Sequence, residues 1–155
     1  MHRETTTKVA AFAVAGIHLN GLCAGTSVMT LDGEIPVEHL SIGDRIITRD
    51  SGMAVLRALD ITDVELTPIR ILAGSLGHTR PDRDMLVTAH TTLHIRDWRA
   101  QALFGAPSAM VPASRLLDGE FVAELPKQKL RIFTLRFDRA HIIYADGLEI
   151  GTHPA

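Results

Sequence analysis

"IPVEHLSIGD", residues 35–44, returns as "VPASRLLDGE", residues 111–120. Both copies run Ile or Val, Pro, three variable residues, Leu, two variable residues, Gly and an acidic residue. An internal repeat of this kind is the first thing a fold must explain. In each copy the proline fixes the backbone at the start, a short helical turn buries Leu40 or Leu116, and Gly43 or Gly119 supplies the positive φ that ends the turn. Each copy then leads into a strand, "RIIT" at 45–48 or "FVAEL" at 121–125. The same offset lays "VLRALDI" (55–61) over "RIFTLRF" (131–137), and both place apolar side chains at every second position, as a half-buried strand requires. The chain therefore reads as two related β-rich halves.

Working outward, most of the remainder also reads as strand. "TSVMT" (26–30) leads into the turn "LDGE", "PIRILAG" alternates from Ile69 to Ala73, and "AHIIYADGLEI" (140–150) carries Asp146-Gly147 as a turn signal. Long helical periodicity is absent. One short helix is expected around "RDWRAQALFG" (96–105), where Trp98, Ala102 and Leu103 fall at helical spacing before Gly105. "GHTRPDRD" (77–84) is a polar, proline-containing loop. "DMLVTAHTTLHI" (84–95) reads as a single strand, with Met85, Val87, Ala89, Leu93 and Ile95 on one face and Thr88, His90, Thr92 and His94 on the other.

Composition bounds the function. A length of 155 residues suits one core, and 46% hydrophobic with 22% charged residues is ordinary globular usage. A net charge of −2 offers no basic field for a phosphate backbone, so nucleic acid is not an expected partner. Lys8 followed by the apolar "VAAFAVAGI" (9–17) has the outline of a signal peptide, but lacks a sharp small-x-small cleavage site before His18 and reads better as a buried strand. No run reaches the roughly 18 apolar residues of a membrane span, so no membrane partner is expected. Residues 1–20 form an N-terminal extension and 21–155 the domain. One cysteine cannot make an intramolecular disulfide, which leaves the compartment open, the cytoplasm slightly favoured.

Five blocks in order, "AGTSVMTLDGEIPVEHLSIGDRIIT", "IRILAGSLG", "DMLVTAH", "MVPASRLLDG" and "LRFDRAHIIYADGLEI", give the chain from about Gly21 to Ile150 a resemblance to the Hint family, the module shared by Hedgehog C-terminal domains and inteins. It looks most like the bacterial branch. The resemblance implies an all-β, compact, disc-like fold with internal pseudo-twofold symmetry and at most short helices. It also implies self-cleavage, in which a cysteine attacks the carbonyl before it to give a thioester. A Thr-x-x-His strand then places threonine and histidine beside the scissile bond, where the leaving nitrogen is protonated and the oxyanion stabilised.

The sequence departs from that pattern in three places. The family's nucleophile stands four residues before the glycine of a Gly-Thr or Gly-Asp pair, and counting back from Gly25 arrives at Gly21, two residues short of Cys23. Counting forward from Thr88 puts the family histidine at Thr91, although reading back from Leu93 makes His90 the match. The chain continues after "DGLEI" with Gly151-Thr152 and lacks the terminal His-Asn of inteins, so splicing is not expected. Asp138 and His141, in "FDRAH", match a family block with an acidic residue and a histidine; they either line the same cleft or hold a turn between two strands.

Cys23 has no lysine or arginine within ten residues on either side. It reads as core filler more than as an activated thiol. His90 and His94 would lie about 13 Å apart on a strand, too far to share one zinc ion, and no cofactor or metal is expected. No phosphate loop, dinucleotide fingerprint or nucleophile elbow is present. Two readings follow. The leading one is a Hint-fold module with degenerate catalytic residues, acting in architecture or in binding a protein partner. Its rival is a self-cleaving domain in which Cys23 attacks the Leu22 carbonyl, Thr88 and His90 assist, and the chain's own N-terminal segment is the substrate.

Overall fold

The computed structural model describes residues 19–77 and 79–154. The apolar run at 9–17 lies outside them. In chain order the strands are β1 (Leu22–Cys23), β2 (Ser27–Thr30), β3 (Gly33–Pro36), β4 (Arg45–Thr48), β5 (Gly52–Val55), β6 (Ala58–Leu66), β7 (Ile69–Ile71), β8 (Met85–Val87), β9 (Thr92–Ile95), β10 (Ala109–Pro112), β11 (Val122–Glu124), β12 (Gln128–Phe137), β13 (Ile142–Ala145), β14 (Leu148–Gly151) and β15 (His153–Pro154). One helix, α1 (Trp98–Phe104), stands where the spacing predicts it. Asp97 caps its start by accepting from the Arg99 N–H at 2.9 Å, and Gly105 ends it in the left-handed region. Among the described residues no helix is long and apolar enough to cross a membrane.

Both copies of the repeat fold as expected. Pro36 and Pro112 each introduce a single 3-10 turn, Val37–His39 and Ala113–Leu116, and Leu40 and Leu116 are buried at 6% and 7% exposure. Gly43 (φ 100°) and Gly119 (φ 80°) follow in the conformation that a Cβ would strain. The repeat offset, from residue 35 to residue 111, carries Leu59 onto Leu135. These two residues face one another in the long antiparallel pair of β6 with β12. A local twofold relates residues that pair with their own counterparts, so the axis passes between Leu59 and Leu135. The expected strand at 55–61 is interrupted: Val55 ends β5, and after buried Leu56 and Arg57 the chain enters β6.

The strands form two sheets. One runs β11-β7-β8-β1-β12-β15 with β6 beside β12; the other runs β10-β9-β14-β13-β2-β4-β5 with β3 beside β2. The halves are interleaved. β4, from the first, pairs with β13 from the second, while its counterpart β11 pairs with β7 of the first. Buried side chains from both sheets, including Leu22, Val28, Val87, Phe133, Phe137 and Ile150, make one core with Leu56. Burying a side chain of this size stabilises the fold by about 1.5–3 kcal/mol relative to leaving it exposed.

One expectation needs correction. Residues 84–95 are two strands in different sheets, separated by a turn in which the Thr91 N–H donates to the Thr88 carbonyl at 3.1 Å. The four residues of the turn, Thr88 to Thr91, leave the odd and even positions in step. Buried Met85 and Val87 and buried Leu93 and Ile95 therefore mimic one uninterrupted strand.

The corner between β12 and β13 is fastened to the β4–β5 turn by His141, which is 4% exposed. Its Nδ1 lies 2.9 Å from Asp50 Oδ2 and 3.3 Å from Ser51 Oγ, and its Nε2 lies 3.2 Å from Asp138 Oδ1. The ring thus bridges the two carboxylates through its two nitrogens. Burial works to raise the Asp50 carboxyl, but the Ile142 N–H and the His141 ring outweigh it and hold it below its ordinary value. The His141 hydrogen bond likewise lowers Asp138. Asp138 and His141 thus hold a corner between two strands.

Two predictions follow from the packing and the charge. Leu40→Ala and Leu116→Ala should each lower the unfolding free energy by about 2–4 kcal/mol in denaturant titrations, because both empty equivalent core positions. Asp50 and Asp138 titrate lower when folded than when unfolded. Their stabilisation is therefore complete above the unfolded carboxyl pKa of about 3.9 and is lost as pH falls through the lower folded values. Asp50→Asn should flatten the acid limb of stability against pH, measured below that pH.

Candidate functional site at the Asn20–Gly21 peptide bond

The chain enters the first sheet through its middle. Leu22 pairs with Val87 on β8 and with Phe133 on β12, and Cys23 pairs with Ile132. Just before β1, residues 19–21 pass the 88–91 turn on one side and β12 on the other. Their carbonyls are met by three buried threonine hydroxyls. Thr88 Oγ1 donates to Leu19 O at 2.6 Å, Thr134 Oγ1 to Asn20 O at 2.6 Å, and Thr91 Oγ1 to Gly21 O at 3.0 Å. Thr91 Oγ1 also accepts from the Gly21 N–H at 3.3 Å, and the Asn20 side-chain amide donates to the His90 carbonyl at 3.2 Å. Buried main-chain groups need partners, and here side chains supply what a ladder would elsewhere.

Gly21 is where the family spacing places the nucleophile. A Cβ built there would lie 2.6 Å from the Phe133 carbonyl oxygen, 2.7 Å from Ile132 Cγ2 and 3.0 Å from Thr134 Oγ1. Main chain packs on main chain, and no side chain fits without moving β12.

The sequence candidates fall in different places. Thr88 is in the site. Thr91 occupies the position that the three-residue spacing from Thr88 assigns to a histidine, and its hydroxyl bonds the Gly21 nitrogen. His90 gives the site its carbonyl, while the residue as a whole is exposed. Cys23 is 7% exposed, and burial pushes its thiol up to about 11, so at neutral pH it is a thiol and not the reactive thiolate. The three hydroxyls address the carbonyls of residues 19–21, one residue short of the Leu22 carbonyl that Cys23 would attack.

Asp138 and His141 hold their corner one residue removed. The Thr152 hydroxyl accepts from the His141 N–H at 3.0 Å, and Thr152 lines a small void shared with Asn20, Gly21 and Thr134. Sequence reasoning missed Thr134 and Asn20. Thr134 acts across 114 residues of chain, and no local pattern marks it. Thr91 was reachable, because the spacing from Thr88 selects it.

The groups that bond the peptide from 19 to 21 are neutral hydroxyls and amides. They orient and polarise it, but an alkyl hydroxyl does not exchange protons near neutrality as an imidazole does. A larger recess, about 610 Å³, opens elsewhere and is lined by Arg49, His94, Arg96 and Glu149. There Glu149 accepts from two Arg96 nitrogens (3.1 and 2.8 Å) and lies 2.7 Å from His94 Nδ1. Among the described residues, no three histidine, cysteine or acidic side chains gather as a metal site.

The fold has clear relatives. A bacterial intein-like domain from Clostridium thermocellum superposes with a TM-score of 0.57 at 13% identity, covering 87% of this chain and 99% of that one. A DnaB intein from Synechocystis sp. PCC 6803 does so with a TM-score of 0.58 at 9% identity, covering 87% and 98%. At such identities the likeness is one of fold. Among curated proteins no sequence matches this chain significantly. The family model of the Hint domain, in contrast, matches residues 20–153, from the gripped Asn20 to β15. With that model spanning residues 20–153 and the repeat and two sheets in accord with it, the chain belongs to the Hint domains.

Proposed function

We propose that this domain is a holding module, a Hint fold that grips its own leading segment at Leu19–Gly21 and does not run the thiol chemistry of self-processing. Its role is then architectural, presenting a fixed chain junction or a surface to a protein partner. The observation that carries this reading is the closed seat at Gly21, where the Phe133 carbonyl leaves no room for a nucleophile's side chain. The state of Cys23 supports it. An attack from Cys23 needs a thiolate, whereas this sulfur is buried and protonated at neutral pH.

The deciding experiment is intact-mass analysis of the purified chain incubated with dithiothreitol. Wild type and Cys23→Ala should give the same profile, without a thiol-accelerated fragment beginning at Cys23. Such a fragment in the wild type, lost in Cys23→Ala, would overturn the reading. Gly21→Ala should destabilise the fold by about 1–3 kcal/mol through overpacking against β12, read from the denaturant midpoint. Cys23 should resist iodoacetamide in the folded protein at neutral pH and react once the chain is unfolded.

A further inference from the structure

Across the second sheet, His94, Glu149, Tyr144 and Met29 stand side by side. Tyr144 pairs with Glu149, and the neighbouring pairs Ile150–Leu93 and Ala145–Val28 set Glu149 beside His94 and Tyr144 beside Met29. Each alternates along its strand with a core residue, Leu93, Ile150, Ala145 or Val28, so the row lies on the sheet's outer face. With strands about 4.8 Å apart, four of them carry the row over roughly 14 Å. The row lines the recess of about 610 Å³, together with Ile47, Arg49 and Arg96 and with Leu76 and Arg80 from the loop before β8. The recess shares no lining residue with the seat of residues 19–21, so binding there is independent of what Cys23 does.

The charges of the recess do not cancel locally. Arg80 is paired with Asp82 at 2.5 Å and Asp97 with Arg99 at 2.6 Å, which leaves Glu149 to two arginines. Its carboxylate accepts from Arg96 Nε and Nη2 and lies 2.7 Å from His94 Nδ1, a nitrogen that donates even from a neutral ring. Burial works to raise the Glu149 carboxyl, but the Arg96 and His94 bonds outweigh it and hold it below its ordinary value, so it is ionised at neutral pH. Arg49 stands farther off, its Nε 3.6 Å from Glu149 Oε1, and its guanidinium donates no hydrogen bond among the described residues. Two arginines on one carboxylate leave one positive charge in surplus, with the Arg49 fork and Arg96 Nη1 open to an acceptor. At the other end of the row, Glu34 pairs in register with Met29, and its carboxylate has no hydrogen-bond or ion-pair partner among the described residues.

We propose that this recess binds a monocarboxylate with an apolar body, its carboxylate received by Arg49 and Arg96 and its body laid along Tyr144, Met29 and Ile47. Glu149 is a positioning residue that holds Arg96 and His94 in place. Three features select this ligand class. One surplus charge matches a carboxylate and falls short of a phosphate dianion. The planar guanidinium fork matches two coplanar oxygens. Glu34 repels a second anionic group at the far end. A recess of this size, with an apolar floor and a few placed polar groups, is the usual form of a small-ligand site. A small organic acid and the C-terminal end of a peptide both carry the required chemistry.

The test is titration of the full chain with hydrocinnamate and with acetyl-Ala-Ala-Phe bearing a free C-terminal carboxylate, followed by backbone amide NMR shifts. The matching amides and inorganic phosphate are titrated in parallel. Saturable shifts are expected at residues 47–49, 94–96, 144 and 149, with the amides binding at least about 10-fold more weakly than the acids. Arg49→Gln should weaken the acids by about 10-fold or more and leave the denaturant midpoint unchanged, because its guanidinium donates no hydrogen bond in the fold. Tighter binding of the peptide assigns the site to a chain terminus, and tighter binding of hydrocinnamate assigns it to a small acid. Absence of saturable shifts in the recess with both acids, amides that bind as tightly as acids, phosphate that binds as tightly as either, or unchanged affinity in Arg49→Gln would each overturn the inference.

Discussion

The packing of main chain on main chain at Gly21 is the constraint on which the rest of the site depends. The leading segment enters between β8 and β12, and at residue 21 it lies so near the Phe133 carbonyl that a single carbon would have to occupy the space of an oxygen. Carbonyls cannot swing away as side-chain ends do, because each is fixed by its own strand. That approach brings residues 19–21 within reach of hydroxyls on two distant parts of the chain. It also leaves no space for a side chain at residue 21.

Interleaving of the two halves gives the approach its rigidity. β4 is completed by β13 and β11 by β7, so neither half closes its hydrogen bonds alone. The long pairing of β6 with β12 places the twofold at Leu59 and Leu135, and the same β12 carries Phe133 and Thr134 toward the leading segment. The 88–91 turn does the corresponding work opposite. By passing the chain from one sheet to the other, it turns Thr88 and Thr91 inward together.

The groups bonded to residues 19–21 are hydroxyls and amides. Two charged clusters among the described residues lie elsewhere, His141 between Asp50 and Asp138, and Glu149 among Arg49, His94 and Arg96. Hydroxyls remain at the peptide, and they polarise a carbonyl without supplying a proton acceptor at neutral pH.

Much of the fold was legible in the chain because its signals are local. Proline, buried leucine and glycine recur at fixed spacing in the two 3-10 turns, Asp97 and Gly105 bracket α1, and Asp146-Gly147, both at positive φ, turns β13 into β14. Counting back from Gly25 also drew attention to Gly21, which is tightly packed against β12. What the sequence did not disclose was lateral. An even-length turn hid the break between β8 and β9, and Thr134 joins Asn20 only because two strands far apart in the chain lie side by side. Sequence by itself determined which residue types stand at each position of the repeat and of the family spacing, because backbone conformation and alternation act over a few neighbours. Tertiary structure alone decided that residue 21 has no room for a side chain and that three hydroxyls meet three successive carbonyls, because distances between strands are set by the packing of the whole core.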